Sequence, residues 1–112
     1  HPEDVEILYR LSKNDNLWQQ RIAIVSTWQM IHDGIFTPTL IMCRQLLNHK
    51  HDLIHKATGW MLREIGKRDT DILLEFLDEK APEMPRTMLR YAIERLPESV
   101  RQHYLHIPRA CK

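Results

Sequence analysis

The sequence has few of the features that mark disulfide-stabilised or membrane-spanning proteins. Its two cysteines, Cys43 and Cys111, lie far apart without metal-ligand spacing, so we expect a reduced cytosolic protein instead of a disulfide scaffold. No apolar run approaches the roughly 18 residues that a spanning helix requires, and no signal-like hydrophobic segment opens the chain. With 43% hydrophobic and 28% charged residues in a chain of 112, the composition is that of one globular domain without a membrane partner.

Charge is nearly balanced overall but unevenly distributed. The net charge is +1, yet residues 44–68 carry six Lys or Arg against two acids, and residues 85–112 carry six against two. Residues 69–84 reverse the balance, with six acids against one lysine. Two basic blocks on one surface are the pattern expected of a protein that binds a polyanion, although the intervening acids can also neutralise them.

Caps and prolines predict helices almost throughout, and no stretch has the pattern of a strand hairpin. Asp33 and Gly34 are expected to end one helix, Thr37 and Pro38 to begin the next, and Gly66 to end the central one. The predicted helices span residues 2–13, 17–32, 37–47, 52–67, 69–80, 86–96 and 97–105.

The central helix carries two different faces. Its apolar stripe is predicted from the helical period of about 100° per residue and comprises Ile54, Ala57, Thr58, Met61 and Ile65. Nearly opposite lie Lys56, Trp60 and Arg63, with Lys67 one turn further. An indole between cations can stack on a base while the cations bind phosphates; alternatively, Trp60 packs against the next helix and the cations are only solvated.

Other bulky residues are expected in the core. Trp18 and Trp28 share an almost entirely apolar helix that is typical of a buried inner helix. Methionines at positions 42, 61 and 88 are expected to fill core gaps. Tyr91 and Tyr104 are expected to cover the last helix pair.

Short helices in pairs suggest an internal repeat. Aligning the second helix of each pair places Arg21, Lys56 and Arg90 at equivalent positions, with spacings of 35 and 34 residues. In a solenoid of stacked pairs, equivalent positions line up along one surface. The three cations are therefore expected to form a ladder on a concave face that suits a phosphodiester backbone, unless their recurrence in three short windows is coincidental.

The segments NDNLWQQRIAIV, HKATGWMLREIGKRD and MPRTMLRYAIERLP together resemble the carboxy-terminal half of the DNA alkylation repair proteins, the AlkD-like glycosylases. The resemblance runs from the start of the chain to about Tyr104. It implies an all-α, HEAT-like helical-repeat solenoid of about three antiparallel helix pairs plus a short terminal helix. Residues 1–112 are then one repeat domain, the carboxy-terminal portion of a longer solenoid.

The resemblance also implies a function. Members of the family bind duplex DNA on a concave basic face and act as hydrolases that excise cationic alkylated purines such as 3-methyladenine and 7-methylguanine. We therefore expect a cytoplasmic, nucleoid-associated protein that needs no cofactor. By motif, Arg21 and Arg63 correspond to DNA-contacting arginines and Trp60 to an aromatic of the lesion cleft, whereas Lys67 and Arg90 correspond to basic positions of less defined role.

The chain departs from the family in one respect. The catalytic aspartate of these glycosylases lies in a Trp- and Asp-containing motif upstream of WxxR, and no such motif occurs here; neither Asp15 nor Asp33 matches it. Because this motif is missing, we expect the catalytic residues upstream, and weak DNA binding without catalysis from this chain alone. The start at His1 fits a processed protein, a trimmed sequence or a fragment equally well. An uncovered first helix pair would then expose apolar surface and favour self-association.

Two alternatives belong to other classes. Helical-repeat solenoids often act as protein-interaction scaffolds or bind DNA without catalysis, and a fold does not prove a function. A metal site is the other alternative, because His51, Asp52 and His55 have the spacing of HExxH with Asp in place of Glu. However, His51 is predicted to precede the helix, and no third ligand is placed to complete a tetrahedral site.

Overall fold

The computed structural model describes residues 17–108, and the side chains of residues 22–108. Within this range the chain is helical, without a strand, as the sequence predicted. The helix predicted at residues 2–13 lies outside the described residues. The helices are α1 (Leu17–Ser26), α2 (Trp28–His32), α3 (Thr37–Gln45), α4 (Asp52–Arg68), α5 (Thr70–Lys80), a 3-10 turn (Ala81–Glu83), α6 (Arg86–Ile93) and α7 (Glu98–Leu105).

The helix predicted over residues 17–32 is divided at Thr27. The backbone N–H and the side-chain hydroxyl of Thr27 both donate to the carbonyl of Ile24, at 3.1 and 2.7 Å. These contacts three residues back tighten the turn, because a hydroxyl that bonds the preceding turn competes with the regular helical pattern. Gly34, with φ of 80°, follows α2, in agreement with the predicted end there.

The expectation that this segment forms a buried inner helix is wrong. Ile24 and Ile31 are enclosed, but Ile22, Val25 and Trp28 each leave about 40% of their surface exposed. The ring of Trp28 lies against His32, with 4.0 Å between centroids. The segment therefore has more apolar side chains than the neighbouring helices can cover. The side chain of Trp18 lies outside the described residues.

The core is organised around α4. Its predicted apolar stripe is buried along its whole length, as the helical period indicated, and Met42 and Met88 are buried with it. His51 begins the helix, because its Nδ1 accepts the backbone N–H of Leu53 at 3.2 Å and so satisfies a free donor of the first turn.

Gly66 does not end α4, contrary to expectation. The helix continues to Arg68, and a Cβ at position 66 would lie 2.5 Å from Cδ2 of Leu73. Gly66 therefore permits the close packing of α4 against α5, because a side chain at this position would collide with that of Leu73. Asp69 ends α4 in extended conformation and caps α5, where its carboxylate accepts the N–H of Ile72 at 3.4 Å.

The helices follow the paired order of a helical-repeat fold, with α3 before α4 and α5 before α6. The second helices lie side by side, because α4 packs against α1 and, most extensively, against α6. Gly59 permits the latter contact, since a Cβ there would lie 2.6 Å from the Met88 carbonyl oxygen. This layer of α1, α4 and α6 provides the surface on which the candidate site lies.

The last described helix closes the end of the layer. Tyr104 of α7 is buried, as predicted, and its hydroxyl donates to Oδ1 of Asp78 in α5 at 2.6 Å. Burial, together with the adjacent carboxylate, raises the pKa of Tyr104 because both disfavour the phenolate. Arg86 donates to the carbonyl of Leu105 at 3.0 Å, so α7 is held by both α5 and α6.

Candidate nucleic-acid interface

An aromatic groove runs between α1, α4 and α6. It encloses about 120 Å³, and Trp60 and Tyr91 both line it. These rings come from helices that Gly59 allows to approach closely, since Tyr91 Cβ would also contact a Cβ at position 59. The complete lining is Val25, Leu53, Lys56, Ala57, Trp60 and Tyr91.

Trp60 is open to solvent. Its side of α4 is opposite the buried stripe, as the periodicity predicted, and 44% of its surface is exposed. The indole is therefore not enclosed by aliphatic neighbours. The guanidinium of Arg63 lies 5.7 Å from the centroid of the ring, within the range of a cation–π contact.

Arg63 connects α4 to the end of α6. Its Nη1 donates to Oε2 of Glu94 at 2.7 Å, and its side chain is only 18% exposed. Its Nε is enclosed and has no hydrogen-bond partner within the described residues. The ion pair and the ring contact together fix the guanidinium beside the indole, so Arg63 is pre-positioned instead of freely solvated.

The two lysines of this face also have carboxylate neighbours. Lys56 Nζ lies 3.7 Å from Asp52, and Lys67 Nζ lies 3.1 Å from the mostly buried Glu64. The exposed Lys56–Asp52 pair contributes little to stability, and both lysines are exposed enough to exchange a carboxylate for a phosphate.

Arg90 and Arg95 differ, because neither has an ion pair within residues 22–108. Both are exposed. They belong to α6 and the residues directly after it, next to Tyr91 and Glu94 respectively. Among the described cations of the predicted DNA-binding face, those without a carboxylate partner are therefore on the α6 side.

The ladder of Arg21, Lys56 and Arg90 stays a prediction. Lys56 and Arg90 are exposed on adjacent second helices. Arg21 lies in α1, the other neighbour of α4, but its side chain is outside the described residues. The role of all three as DNA contacts remains a prediction.

A second cavity, the cationic cavity, lies further along the same two helices. It has a volume of about 270 Å³. Cationic side chains from both helices surround it, and apolar residues of α5 and α6 complete the wall. The complete lining is Arg63, Gly66, Lys67, Thr70, Leu73, Ala92, Arg95 and Leu96.

Sequence reasoning missed Tyr91 as a groove residue. It was expected to cover the last helix pair, but 37% of its surface is exposed beside the groove. Its position directly after Arg90, a residue of the predicted ladder, was the available signal. From the sequence, Arg95 could equally contact DNA or only solubilise the end of the chain, because its place in the same cavity as Lys67 depends on the packing of α6 against α4.

The histidines near the start of α4 form local hydrogen bonds. His51 Nδ1 caps the helix, and Nε2 of His55 lies 2.5 Å from the carbonyl oxygen of His49. No group of three or more potential ligands within the described residues is arranged to hold a metal ion. In the structure, His51 and His55 therefore form hydrogen bonds at the start of α4, where His51 acts as the cap.

Two further features concern the thiol of Cys43 and the length of the helices. Burial raises the pKa of the Cys43 thiol, which disfavours the nucleophilic thiolate. Among the described helices, none has the length and apolar character needed to cross a membrane.

Comparison with known proteins identifies the family. Residues 1–96 match the family model described as DNA alkylation repair enzyme. Searches of curated proteins and of solved structures returned no match. The matched segment contains α1 to α6, with Trp60, Arg63 and Arg90, and covers most of the chain. The chain therefore belongs to the DNA alkylation repair enzyme family.

Proposed function

We propose that this protein binds duplex DNA on the face formed by α1, α4 and α6, and that it serves the excision of cationic alkylated purines such as 3-methyladenine and 7-methylguanine. The observation that carries the proposal is the exposed indole of Trp60 with the Arg63 guanidinium fixed beside it. Indole faces attract cationic ligands, and a positively charged alkylated base is such a ligand.

The residue types suit a glycosylase. A cationic base is already a good leaving group, so catalysis must mainly stabilise the developing positive charge on the sugar. A nearby carboxylate can provide this. Asp52, Glu64 and Glu94 are each paired with a cation of the face, so we assign this part of the protein to DNA recognition. The catalytic carboxylate is expected outside the described residues.

The groove accounts for recognition as follows. Trp60 and Tyr91 provide apolar walls for a base or sugar, while Lys56 and Arg90 face the backbone phosphates with Arg21 as the third cation. Base–aromatic stacking contributes about 1–3 kcal/mol per base. Phosphate contacts position the duplex without selecting sequence, as a repair protein that scans DNA requires. Such a protein would act at the nucleoid.

The test is fluorescence anisotropy with a labelled duplex, comparing wild type with Trp60→Ala and Trp28→Ala. Trp28 is a matched control, because it is similarly exposed but lies on α2 against His32. We expect Trp60→Ala to weaken binding about 5- to 100-fold and Trp28→Ala to leave it nearly unchanged. In a protein that also carries the catalytic carboxylate, Trp60→Ala and Arg21→Ala should reduce excision of 7-methylguanine far more than they lower thermal stability. Equal losses of excision and stability would indicate a packing role.

A protein-interaction scaffold is the second candidate. Ile22, Val25 and Leu53 are exposed on the same layer as Trp60, and an apolar surface of this kind also suits a partner protein or a second copy of the chain. Salt separates the two functions. DNA binding should weaken steeply as salt rises, whereas self-association through apolar surface, measured by sedimentation, should not.

A further inference from the structure

We propose that the cationic cavity binds one phosphodiester of a DNA strand, and that the nucleotide about three steps along that strand lies against Trp60. This inference rests on the proposed function and adds to it a specific subsite with Arg95 and Lys67 as its phosphate ligands. Arg95 was not among the residues expected to contact DNA in a defined way.

The arrangement of charge supports an anionic ligand. Arg63 and Lys67 are four residues apart on α4, so their side chains are neighbours on one face, and Arg95 approaches from the end of α6. Acids accompany two of these cations, since Glu94 bonds Arg63 and Glu64 lies beside Lys67. Arg95 has no such neighbour among residues 22–108 and leaves the cavity with an excess of positive charge.

Hydrogen-bonding capacity also remains available there. A guanidinium has five N–H donors, so the single bond from Arg63 Nη1 to Glu94 leaves others. The side chain of Arg95 makes no hydrogen bond or ion pair in the described part of the chain. The Thr70 hydroxyl is already used, because it donates to the Gly66 carbonyl at 3.0 Å. Cationic donors that outnumber the carboxylates beside them favour a phosphate over a neutral ligand.

The position of the cavity fits a strand that passes Trp60. Both cavities lie along the same pair of helices, first the aromatic groove and then the cationic cavity. Trp60 and Lys67 are seven residues apart on α4, which corresponds to about 10 Å at the helical rise of about 1.5 Å per residue. This distance is about three nucleotide steps of B-DNA at about 3.4 Å each. A duplex whose axis runs along α4 would thus place one phosphate of the strand in the cavity.

The first experiment measures the salt dependence of duplex binding for wild type, Arg95→Gln and Lys67→Gln. Each lost phosphate contact should lower the slope of log affinity against log salt by about 1. Raising salt from about 50 to about 200 mM should then weaken wild-type binding about 4-fold more than it weakens Arg95→Gln. Arg44→Gln is the matched control, because Arg44 lies between α3 and α5, beside Glu79 at 3.7 Å, and its slope should equal that of wild type.

The second experiment locates the phosphate. Single methylphosphonate substitutions remove the charge of one phosphate at a time from the duplex. At one position, about three steps from the nucleotide that contacts Trp60, wild type should lose affinity while Arg95→Gln shows little further loss, as a double-mutant cycle requires for direct contact. Arg95→Lys, which keeps the charge, should retain the wild-type pattern.

The outcomes distinguish this proposal from the proposed function. Unchanged salt slopes for Arg95→Gln and Lys67→Gln, together with methylphosphonate losses equal in wild type and Arg95→Gln, would overturn the subsite while duplex binding through Trp60 stands. A wild-type protein that shows no salt-dependent duplex binding would overturn both. Unfolding curves of each variant confirm that the fold is intact.

Discussion

Arg63 and Glu94, separated by 31 residues in sequence, form a hydrogen-bonded ion pair of 2.7 Å that joins α4 to the end of α6. The same guanidinium lies beside the ring of Trp60. One interaction therefore contributes to the packing of two helices and sets the charge next to the candidate lesion-binding ring.

Replacing Glu94 with Gln should separate these two effects. The carboxylate is mostly exposed, so its loss should lower the free energy of unfolding by only about 0.5 kcal/mol. Removing a negative charge from the proposed DNA-binding face should at the same time strengthen duplex binding several-fold, which anisotropy at low salt would measure. Glu79→Gln is the matched control, because Glu79 pairs with Arg44 away from this face. Equal gains from both variants would show a non-specific charge effect.

Gly59→Ala should be more destabilising than Gly66→Ala. Both glycines are helical, so both variants gain the same helix propensity of about 1 kcal/mol. At position 59 the new methyl group meets the backbone carbonyl of Met88, whereas at position 66 it meets Cδ2 at the end of the Leu73 side chain. A side-chain tip can turn away, but a helix backbone must shift, at about 1–3 kcal/mol. Chemical denaturation measures both values, and the reverse order would contradict the packing described for α4 and α6.

Tyr104→Phe should remove a pH-dependent contribution to stability. At neutral pH the loss of the hydrogen bond to Asp78 should cost about 1 kcal/mol. The folded-state pKa of Tyr104 is raised above its ordinary value of about 10, so the unfolded chain loses its proton first. The wild-type advantage is thus present below about pH 10 and declines as pH rises beyond it. Denaturation at pH 8 and pH 10.5 measures the difference, and an advantage independent of pH would contradict this account.

His49→Gln should reduce the acid sensitivity of the fold. Burial, followed by the nearby His55 and His51, lowers the pKa of His49, and its Nδ1 accepts the N–H of His51 at 3.0 Å, which requires the unprotonated ring. The unfolded state therefore takes up the proton first as pH falls below about 6.5. Between pH 7 and pH 5 the wild type should lose more stability than the variant. Parallel curves for the two proteins would contradict the prediction.

The sequence predicted the helical fold and the buried stripe of α4 because both depend on local periodicity. It also placed Trp60 opposite that stripe. It failed at Gly66, where the decisive contact is with Leu73, and at Trp28, where apolar composition suggested a burial that the neighbours do not provide. Both outcomes depend on tertiary packing, which a local sequence pattern does not predict.

The candidate site shows the same division. Lys56, Arg63 and Lys67 could be assigned to one face from their spacing on a single helix. Three further residues join the candidate site only because α6 approaches α4, which the glycine at position 59 permits. They are Tyr91, Glu94 and Arg95. Repeat alignment came closest, since it selected Arg90, the neighbour of Tyr91.

Asp69 gives the junction between α4 and α5 an unusual sensitivity to length. It is at once the final hydrogen-bond donor of α4, to the Ile65 carbonyl at 2.7 Å, and the cap of α5, so no spare residue can absorb an insertion. One added residue would rotate the following segment by about 100° and turn Thr70 and Leu73 away from Lys67. The junction should therefore tolerate a substitution that keeps a capping side chain at position 69, but not an insertion, which would change the angle between α4 and α5.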